Sequence, residues 1–82
     1  MSKKAVALKY QEEDIAPRIV AKGVGRLAEV ILRLARENNI HIEENRALSE
    51  ALMYFEAGDY IPEELYEVVA EILAFVYKLH LD

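Results

Sequence analysis

The sequence predicts an α/β fold: a small three-stranded mixed sheet with a right-handed β-α-β crossover and about three helices packed on it. Two observations lead to this class. Short segments with alternating or β-branched apolar residues occur early in the chain, and longer segments with apolar residues at helical spacing follow. A chain of 82 residues suits one domain with a modest core, so we expect residues 1–82 to form a single domain.

Three strands are predicted, over residues 5–10, 18–22 and 40–43. In the first strand, Val6 and Leu8 lie on one face and Lys9 lies on the other. Pro17 disfavours helix at the residue before it and so separates the first strand from the second. A predicted helix joins the second strand to the third, and such a crossover between parallel strands is right-handed.

Three helices are predicted, over residues 24–38, 46–57 and 62–79. The first ends at Asn38 and Asn39, since asparagine tolerates the left-handed conformation that closes helices. Asn45 is the predicted N-cap of the second helix, which ends before Gly58. Pro62 suits a first helical position at the start of the third. The first helix has an apolar stripe that should face the core, formed by Val24, Leu27, Val30, Ile31, Leu34 and Ala35.

Composition and charge exclude several classes of function. A net charge of −5 disfavours nucleic-acid binding, and the absence of cysteine excludes disulfides and thiolate metal sites. The longest apolar run, residues 72–77, is far shorter than the roughly 20 residues of a membrane span. Neither His41 nor His80 has a second ligand at metal-binding spacing, and no nucleophile motif is present. We therefore expect a cytoplasmic protein without cofactors, enzymatic activity or membrane insertion.

The last helix carries more apolar surface than one core contact requires. A wide face that should be core comprises Leu65, Val68, Val69, Ile72, Phe75, Val76 and Leu79. A second apolar stripe beside that face comprises Tyr66, Ala70, Leu73 and Tyr77. Together they span an arc of roughly 220°, against about 100° for a single contact. Two interpretations stay open: neighbouring elements cover the second stripe, or it remains exposed as an apolar groove for another chain.

Several short motifs, in their order and spacing, resemble the cytoplasmic C-terminal domain of the FlhB/YscU family. These are the export-switch proteins of flagellar and type III secretion machines. The resemblance covers residues 5–79, and its main motifs are Ala5-Val-Ala-Leu-Lys-Tyr10, Ala16-Pro17, Val20-Ala-Lys-Gly23, Glu44-Asn45, Ala47-Leu48, Ile61-Pro62 and Leu65-Tyr66. The usual Pro-Pro after Glu-Asn in the family is replaced here by Arg46-Ala47. That replacement puts any contact made by this loop in doubt.

The resemblance also implies where a partner would bind. In the family, a small hydrophobic patch is implicated in docking export substrates. It is formed by the Ala-Pro pair before the second strand and by the last helix. The matching positions in this sequence are Ala16, Pro17, Ala70 and Leu73. With Tyr66 and Tyr77 from the second apolar stripe, these residues form the predicted protein-binding site.

The segment before the first strand departs from the family pattern. In the family, an Asn-Pro-Thr-His sequence stands there and the protein cuts itself between Asn and Pro, whereas this chain has Met1-Ser-Lys-Lys4. The resemblance thus implies that this chain corresponds to the part of the family domain that follows the cleavage site. It also implies that the chain does not cleave itself. It also implies an open sheet edge, because a strand precedes the cleavage site in the family. That edge could pair with a second copy or a secretion-protein fragment, or Lys3, Lys4 and Lys9 could discourage pairing.

The function that the resemblance implies is a non-enzymatic component or accessory of flagellar or type III protein export. It would mimic the post-cleavage fragment and dock export substrates, apparatus proteins, or a truncated or full-length FlhB-type protein. Any attachment to the membrane-bound apparatus would be peripheral and made through protein contacts. Two alternatives stay open, a regulatory binding module unrelated to export and a structural oligomer built on the strand edge.

Overall fold

A computed structural model describes residues 3–11 and 13–81, with side chains up to residue 78. The predictions for the side chains of Leu79 and His80 lie outside this set. The elements, in chain order, are strand β1 (Lys4–Lys9), strand β2 (Arg18–Val24), helix α1 (Arg26–Glu37), helix α2 (Arg46–Leu52), a 3-10 turn (Glu63–Leu65) and helix α3 (Tyr66–Leu81). The three predicted helices are therefore present, and α3 follows directly from the 3-10 turn.

The sheet consists of two antiparallel strands among the described residues, β1 and β2. Ala5 lies opposite Gly23, and Leu8 lies opposite Ile19. The register shifts by one residue between these pairs, which leaves Val20 as the extra residue of a β-bulge. Within the described residues β1 pairs with β2 alone, so pairing of its other edge with a partner stays a prediction.

The predicted third strand at residues 40–43 is wrong, and with it the mixed sheet and the right-handed crossover. Asn39 adopts a left-handed φ of 57°, as predicted for the end of α1. The amide of Ile40 then donates to the carbonyl of Ala35 at 2.9 Å, which closes the helix instead of starting a ladder. The following residues cross to α3, where the ring of His41 meets the ring of Phe75 edge-on at 6.0 Å. Two alternating isoleucines are too short a pattern to outweigh this helix-closing turn.

The first half of β2 has a different neighbour on its outer edge, the segment 58–61. The amide of Ile19 donates to the carbonyl of Asp59 at 2.8 Å, and the amide of Gly58 donates to the carbonyl of Ile19 at 2.7 Å. The amide of Ile61 donates to the carbonyl of Pro17 at 2.9 Å. This antiparallel pairing is a short bridge and not a third strand. It brings the start of α3 beside the segment that precedes β2.

Helix α1 packs on one face of the sheet, at the point where the strands have their smallest residues. Ala5, Gly23 and Ala28 are buried there. The amide of Gly25 donates to the carbonyl of Lys3, which prolongs the ladder and delays the start of α1 to Arg26. The predicted core stripe of α1 is only partly buried, because two strands about 5 Å apart are too narrow to cover it. Its half-exposed members are Val24, Leu27 and Leu34.

Close approach at Gly23 makes this position sensitive to substitution. A Cβ atom there would lie 2.6 Å from Cγ of Leu27 and 3.1 Å from the backbone nitrogen of Ala28. We expect Gly23→Ala to lower the free energy of unfolding by about 1–3 kcal/mol, since α1 must move away from the sheet. Urea unfolding measures this change, with Val24→Ala as the control at a neighbouring position. Adding Leu27→Ala to Gly23→Ala should restore part of the lost stability, because it removes the Cγ atom that the new Cβ meets. Wild-type stability for Gly23→Ala would contradict the close packing.

The main core lies on the opposite face of the sheet, between the strands, α2 and α3. Val6 and Leu8, which were predicted to share one face of β1, both pack against this core. The side chain of Asn45 caps α2, as predicted, by accepting from the amide of Leu48 at 3.0 Å. Helix α2 ends at Leu52, five residues before the predicted end, and the half-buried Phe55 then packs against the core. The buried residues of this core are Ala16, Ile19, Leu48, Leu52, Ile61 and Val69.

Candidate protein-binding groove

A groove of about 310 Å³ lies between α3 and the segment that joins β1 to β2. We call it the α3 groove. Its lining is mostly apolar and comprises Tyr10, Ile15, Ala16, Pro17, Tyr66, Ala70, Leu73, Ala74 and Tyr77. All six residues of the predicted binding site are among them, so the fold brings together positions that are up to 61 residues apart in the chain. Their role in binding stays a prediction.

One side of the α3 groove is the second apolar stripe of α3. Tyr66, Ala70 and Tyr77 are exposed, and Leu73 is half-buried because it also packs against the core. Val69, adjacent to Ala70 in the chain, is only 2% exposed. A 100° step per residue thus separates a core face from a groove face on the same helix. The stripe lies beside the β1–β2 segment and remains open to a ligand.

The other side of the groove is formed by Tyr10 and by residues 15–17, among which burial changes sharply from one residue to the next. Ile15 is 80% exposed, whereas Ala16 is 2% exposed and belongs to the core. Pro17 is half-buried. Ala16 therefore forms the base of the groove and offers little surface of its own. Contact with a ligand at this side falls mainly to the rings of Tyr10 and Pro17 and to the side chain of Ile15.

Arg18 connects this side of the groove to the bridge beside β2. Its Nη2 atom donates to the hydroxyl of Tyr60 at 3.0 Å and approaches the carboxylate of Asp14 at 3.5 Å, while the guanidinium lies over the Tyr60 ring. The other carboxylate oxygen of Asp14 accepts from the amide of Gln11 at 3.0 Å. The hydrogen bond to Tyr60, followed by electrostatic interaction with Tyr60 and Asp14, raises the pKa of Arg18 above its ordinary value. The guanidinium, which is charged at any physiological pH, links Asp14 in the loop to Tyr60 through these contacts.

We expect Arg18→Lys to loosen the groove wall without unfolding the protein. An ammonium keeps the charge but cannot reach both partners or stack on the Tyr60 ring as a planar guanidinium does. The amide of Asp14, which donates to the carbonyl of Gln11 at 2.9 Å, should exchange its hydrogen several-fold faster. Hydrogen exchange followed by NMR measures this change, with the amide of Val69 as the internal reference. Equal acceleration at both amides would indicate a global effect and contradict a local role.

The described part of the chain offers neither a metal site nor a membrane span. No group of three or more His, Cys, Asp or Glu side chains there could hold a metal ion. None of the described helices is long and apolar enough to cross a membrane.

Comparison with known proteins identifies the family. The model of the FlhB, HrpN, YscU and SpaS family matches residues 2–76. The chain belongs to this family. It is 51% identical to the flagellar biosynthetic protein FlhB of Bacillus subtilis over 76 residues, which are 90% of this chain but 21% of that FlhB. It is 47% identical to the Bacillus subtilis protein YlqH, described as uncharacterized, over 78 residues, which are 94% of this chain and 84% of YlqH.

Solved structures of the FlhB family share the fold. The cytoplasmic domain of FlhB from Shewanella putrefaciens matches 94% of this chain with a TM-score of 0.87 and 38% identity, over 64% of that domain. A mutated EscU C-terminal domain matches 92% of this chain with a TM-score of 0.87 and 27% identity, over 93% of its own length. The sequence-based assignment to the FlhB/YscU family is therefore confirmed.

Three residues of the groove in this FlhB-family fold were not predicted from the sequence, and one residue of α3 lies elsewhere than predicted. Tyr10, Ile15 and Ala74 line the groove but were not predicted. The sequence did offer one signal for this side of the groove, because Ile15 is an isolated apolar residue in a polar segment. Phe75, predicted as core, is 54% exposed. It lies on the side of α3 away from the groove, where the ring of His41 covers part of it.

Proposed function

We propose that this protein is a component or accessory of flagellar or type III protein export that docks export proteins in the α3 groove. In this role it acts as a counterpart of the C-terminal fragment of FlhB and binds export substrates or cytoplasmic parts of the apparatus. Docking of this kind requires no cofactor or catalytic group. We place the protein in the cytoplasm, in contact with the membrane-bound apparatus only through other proteins.

One observation carries the proposal: six positions chosen from the sequence line one groove in a member of an export family. Four of them match the family's docking patch, and the other two, Tyr66 and Tyr77, extend the apolar surface along α3. An apolar depression with a few hydroxyl groups is typical of sites that bind protein segments. Tyrosines suit such a site because their rings give apolar contact area while their hydroxyls remain hydrated.

Both sides of the groove are anchored to the rest of the domain, which favours docking. Its helical side is fixed to the core through Val69 and Leu73, and its loop side is held by Arg18 and the buried Ala16. A site that is already formed spends little binding free energy on ordering its own side chains. We therefore expect partners to bind without a large rearrangement of this domain.

The proposal is tested by measuring binding of the purified protein to individually purified export substrates and cytoplasmic domains of the export apparatus. Immobilised wild-type protein and Ala70→Asp are compared by biolayer interferometry, after circular dichroism has shown that both are folded. Binding of at least one export protein by wild type, weakened by Ala70→Asp, supports the proposal. Absence of binding to every member of this panel by folded wild-type protein would contradict it.

A further inference from the structure

We propose that the occupant of the α3 groove is an amphipathic helix of a partner protein, lying antiparallel to α3 with basic residues in its last turn. This inference rests on the proposed docking role of the groove and specifies the shape and charge of what it accepts. Three features of the described residues support it: the spacing of the second apolar stripe, the chemistry of the groove lining and the charges at the two ends of α3.

The spacing of the second apolar stripe is that of a helix-pairing seam. Tyr66, Ala70, Leu73 and Tyr77 are separated by four, three and four residues, which is the alternation found at the a and d positions of a heptad. A second helix packs against such a seam at a small crossing angle of about 20°. The seam covers 11 residue steps, or roughly 16 Å at about 1.5 Å per residue. A partner helix of about three turns matches this length.

The chemistry of the lining favours a helix over an extended segment. The backbone groups in the middle of α3 are engaged within the helix. Among the described side chains, α3 lines the groove with Tyr66, Ala70, Leu73, Ala74 and Tyr77, whose polar groups are the tyrosine hydroxyls. An extended segment would bury its own amides and carbonyls here without partners, at a cost for each. A helix has those groups paired internally. The small side chains of Ala70, Ala74 and Ala16 leave room for its apolar residues between the tyrosines.

Charge gives the orientation of the occupant. Glu63, Glu64 and Glu67 are exposed at the start of α3, and none of the ion pairs found among the described residues involves them. Lys78 is exposed near the other end. Lysine and arginine are favourable in the last turn of a helix, so an antiparallel helix with a basic last turn meets the glutamates. A second copy is disfavoured as the occupant, because each chain carries a net charge of −5.

The test uses synthetic peptides of about three helical turns as probes. The first has leucines at heptad a and d positions and lysines in its last turn, and the second differs by one central proline. The third has the same composition with the lysines moved to the first turn. Each is titrated into ¹⁵N-labelled protein, and circular dichroism follows the helix content of the peptide. Analytical ultracentrifugation gives the oligomeric state of the protein without peptide.

We expect the first peptide to bind, to gain helix content and to shift the amide signals of Ala70, Leu73 and Ala74. Central proline should weaken binding by at least about tenfold, since proline is strongly unfavourable inside a helix. Moving the lysines should weaken it several-fold at low salt, and added salt should remove the difference. Tyr77→Glu should weaken binding of the first peptide, whereas Tyr54→Glu, an exposed tyrosine outside the groove, should not.

Three results would overturn the inference: equal binding of the proline peptide, no shifts in the groove with the first peptide, or a dimer of the protein that buries α3. Failure here is distinguishable from failure of the docking role. If export proteins bind the groove but the proline peptide has the same affinity as the first peptide, the docking role stands and the helical occupant is contradicted. If the first peptide binds but no export protein does, the export role is contradicted and the inference of a helical occupant stands.

Discussion

Val69→Asp is expected to unfold this protein, whereas Ala70→Asp, one residue further along α3, is expected to leave it folded. Val69 is 2% exposed in the main core, and a carboxylate there would be buried without a partner. The combined loss of apolar burial and cost of the carboxylate is at least about 4 kcal/mol. Since a small domain is stable by only about 5 kcal/mol, a penalty of this size or larger removes most or all of its stability.

Ala70 supplies the matched control, because the same side chain is introduced on the groove face of the same helix. An exposed aspartate inside a helix costs less than about 1 kcal/mol relative to alanine. Far-ultraviolet circular dichroism with urea unfolding measures both variants. If the two variants lose stability equally, then α3 is not divided into a core face and a groove face, and the groove assigned here is wrong.

Tyr77→Glu is expected to reduce binding of an export partner strongly while preserving the fold. Tyr77 is 70% exposed and lines the α3 groove, so its replacement costs the core little. It removes an aromatic contact and places a charge on an apolar surface that the partner must cover. We expect a loss of about 2 kcal/mol of binding free energy, or about 30-fold in Kd. Isothermal titration calorimetry measures this loss.

Tyr54→Glu is the matched control for this prediction. Tyr54 is 88% exposed, follows α2 and lies outside the lining of the groove. Both variants change the net charge by the same amount, so a general electrostatic effect would weaken binding equally in the two. Equal loss of affinity would therefore assign the effect to charge and contradict a contact at Tyr77.

Helices were predicted well from the sequence where a local signal sets them. The side chain of Asn45 caps α2, and Asn39 takes the left-handed conformation that ends α1. Both effects act within a few residues and do not depend on the rest of the fold. The early end of α2 is followed by Phe55 packing against the core, a tertiary contact that periodicity along one helix does not reveal.

The sheet was predicted less well, because strand pairing is decided between distant segments. Ile40 and Ile42 alternate like a short strand, yet the Ile40 amide is already bound to Ala35. The place beside β2 is taken by the segment around Tyr60, whose sequence lacks a strand pattern. A local pattern of four residues could not show which segment would pair with that edge of β2.

The candidate site was predictable to the extent that it follows a helical period. Tyr66, Ala70, Leu73 and Tyr77 share a face of α3 by spacing alone, and family resemblance added Ala16 and Pro17. Sequence could not show that Ala16 would be largely buried, since its burial depends on Val69 and Ile61 arriving from elsewhere in the chain. It also could not place Tyr10 and Ile15 opposite α3, because the loop between them is positioned by Arg18 and Tyr60.

The most direct test of the central claim is to locate a bound export protein on the surface by NMR. ¹⁵N-labelled protein is titrated with an unlabelled export partner that it binds, and the amide shifts of every assigned residue are followed. We predict that the shifts concentrate in residues 10–17 and in α3 between Tyr66 and Tyr77. Shifts confined to the outer edge of β1 or to α1, with the groove unchanged, would contradict docking in the α3 groove.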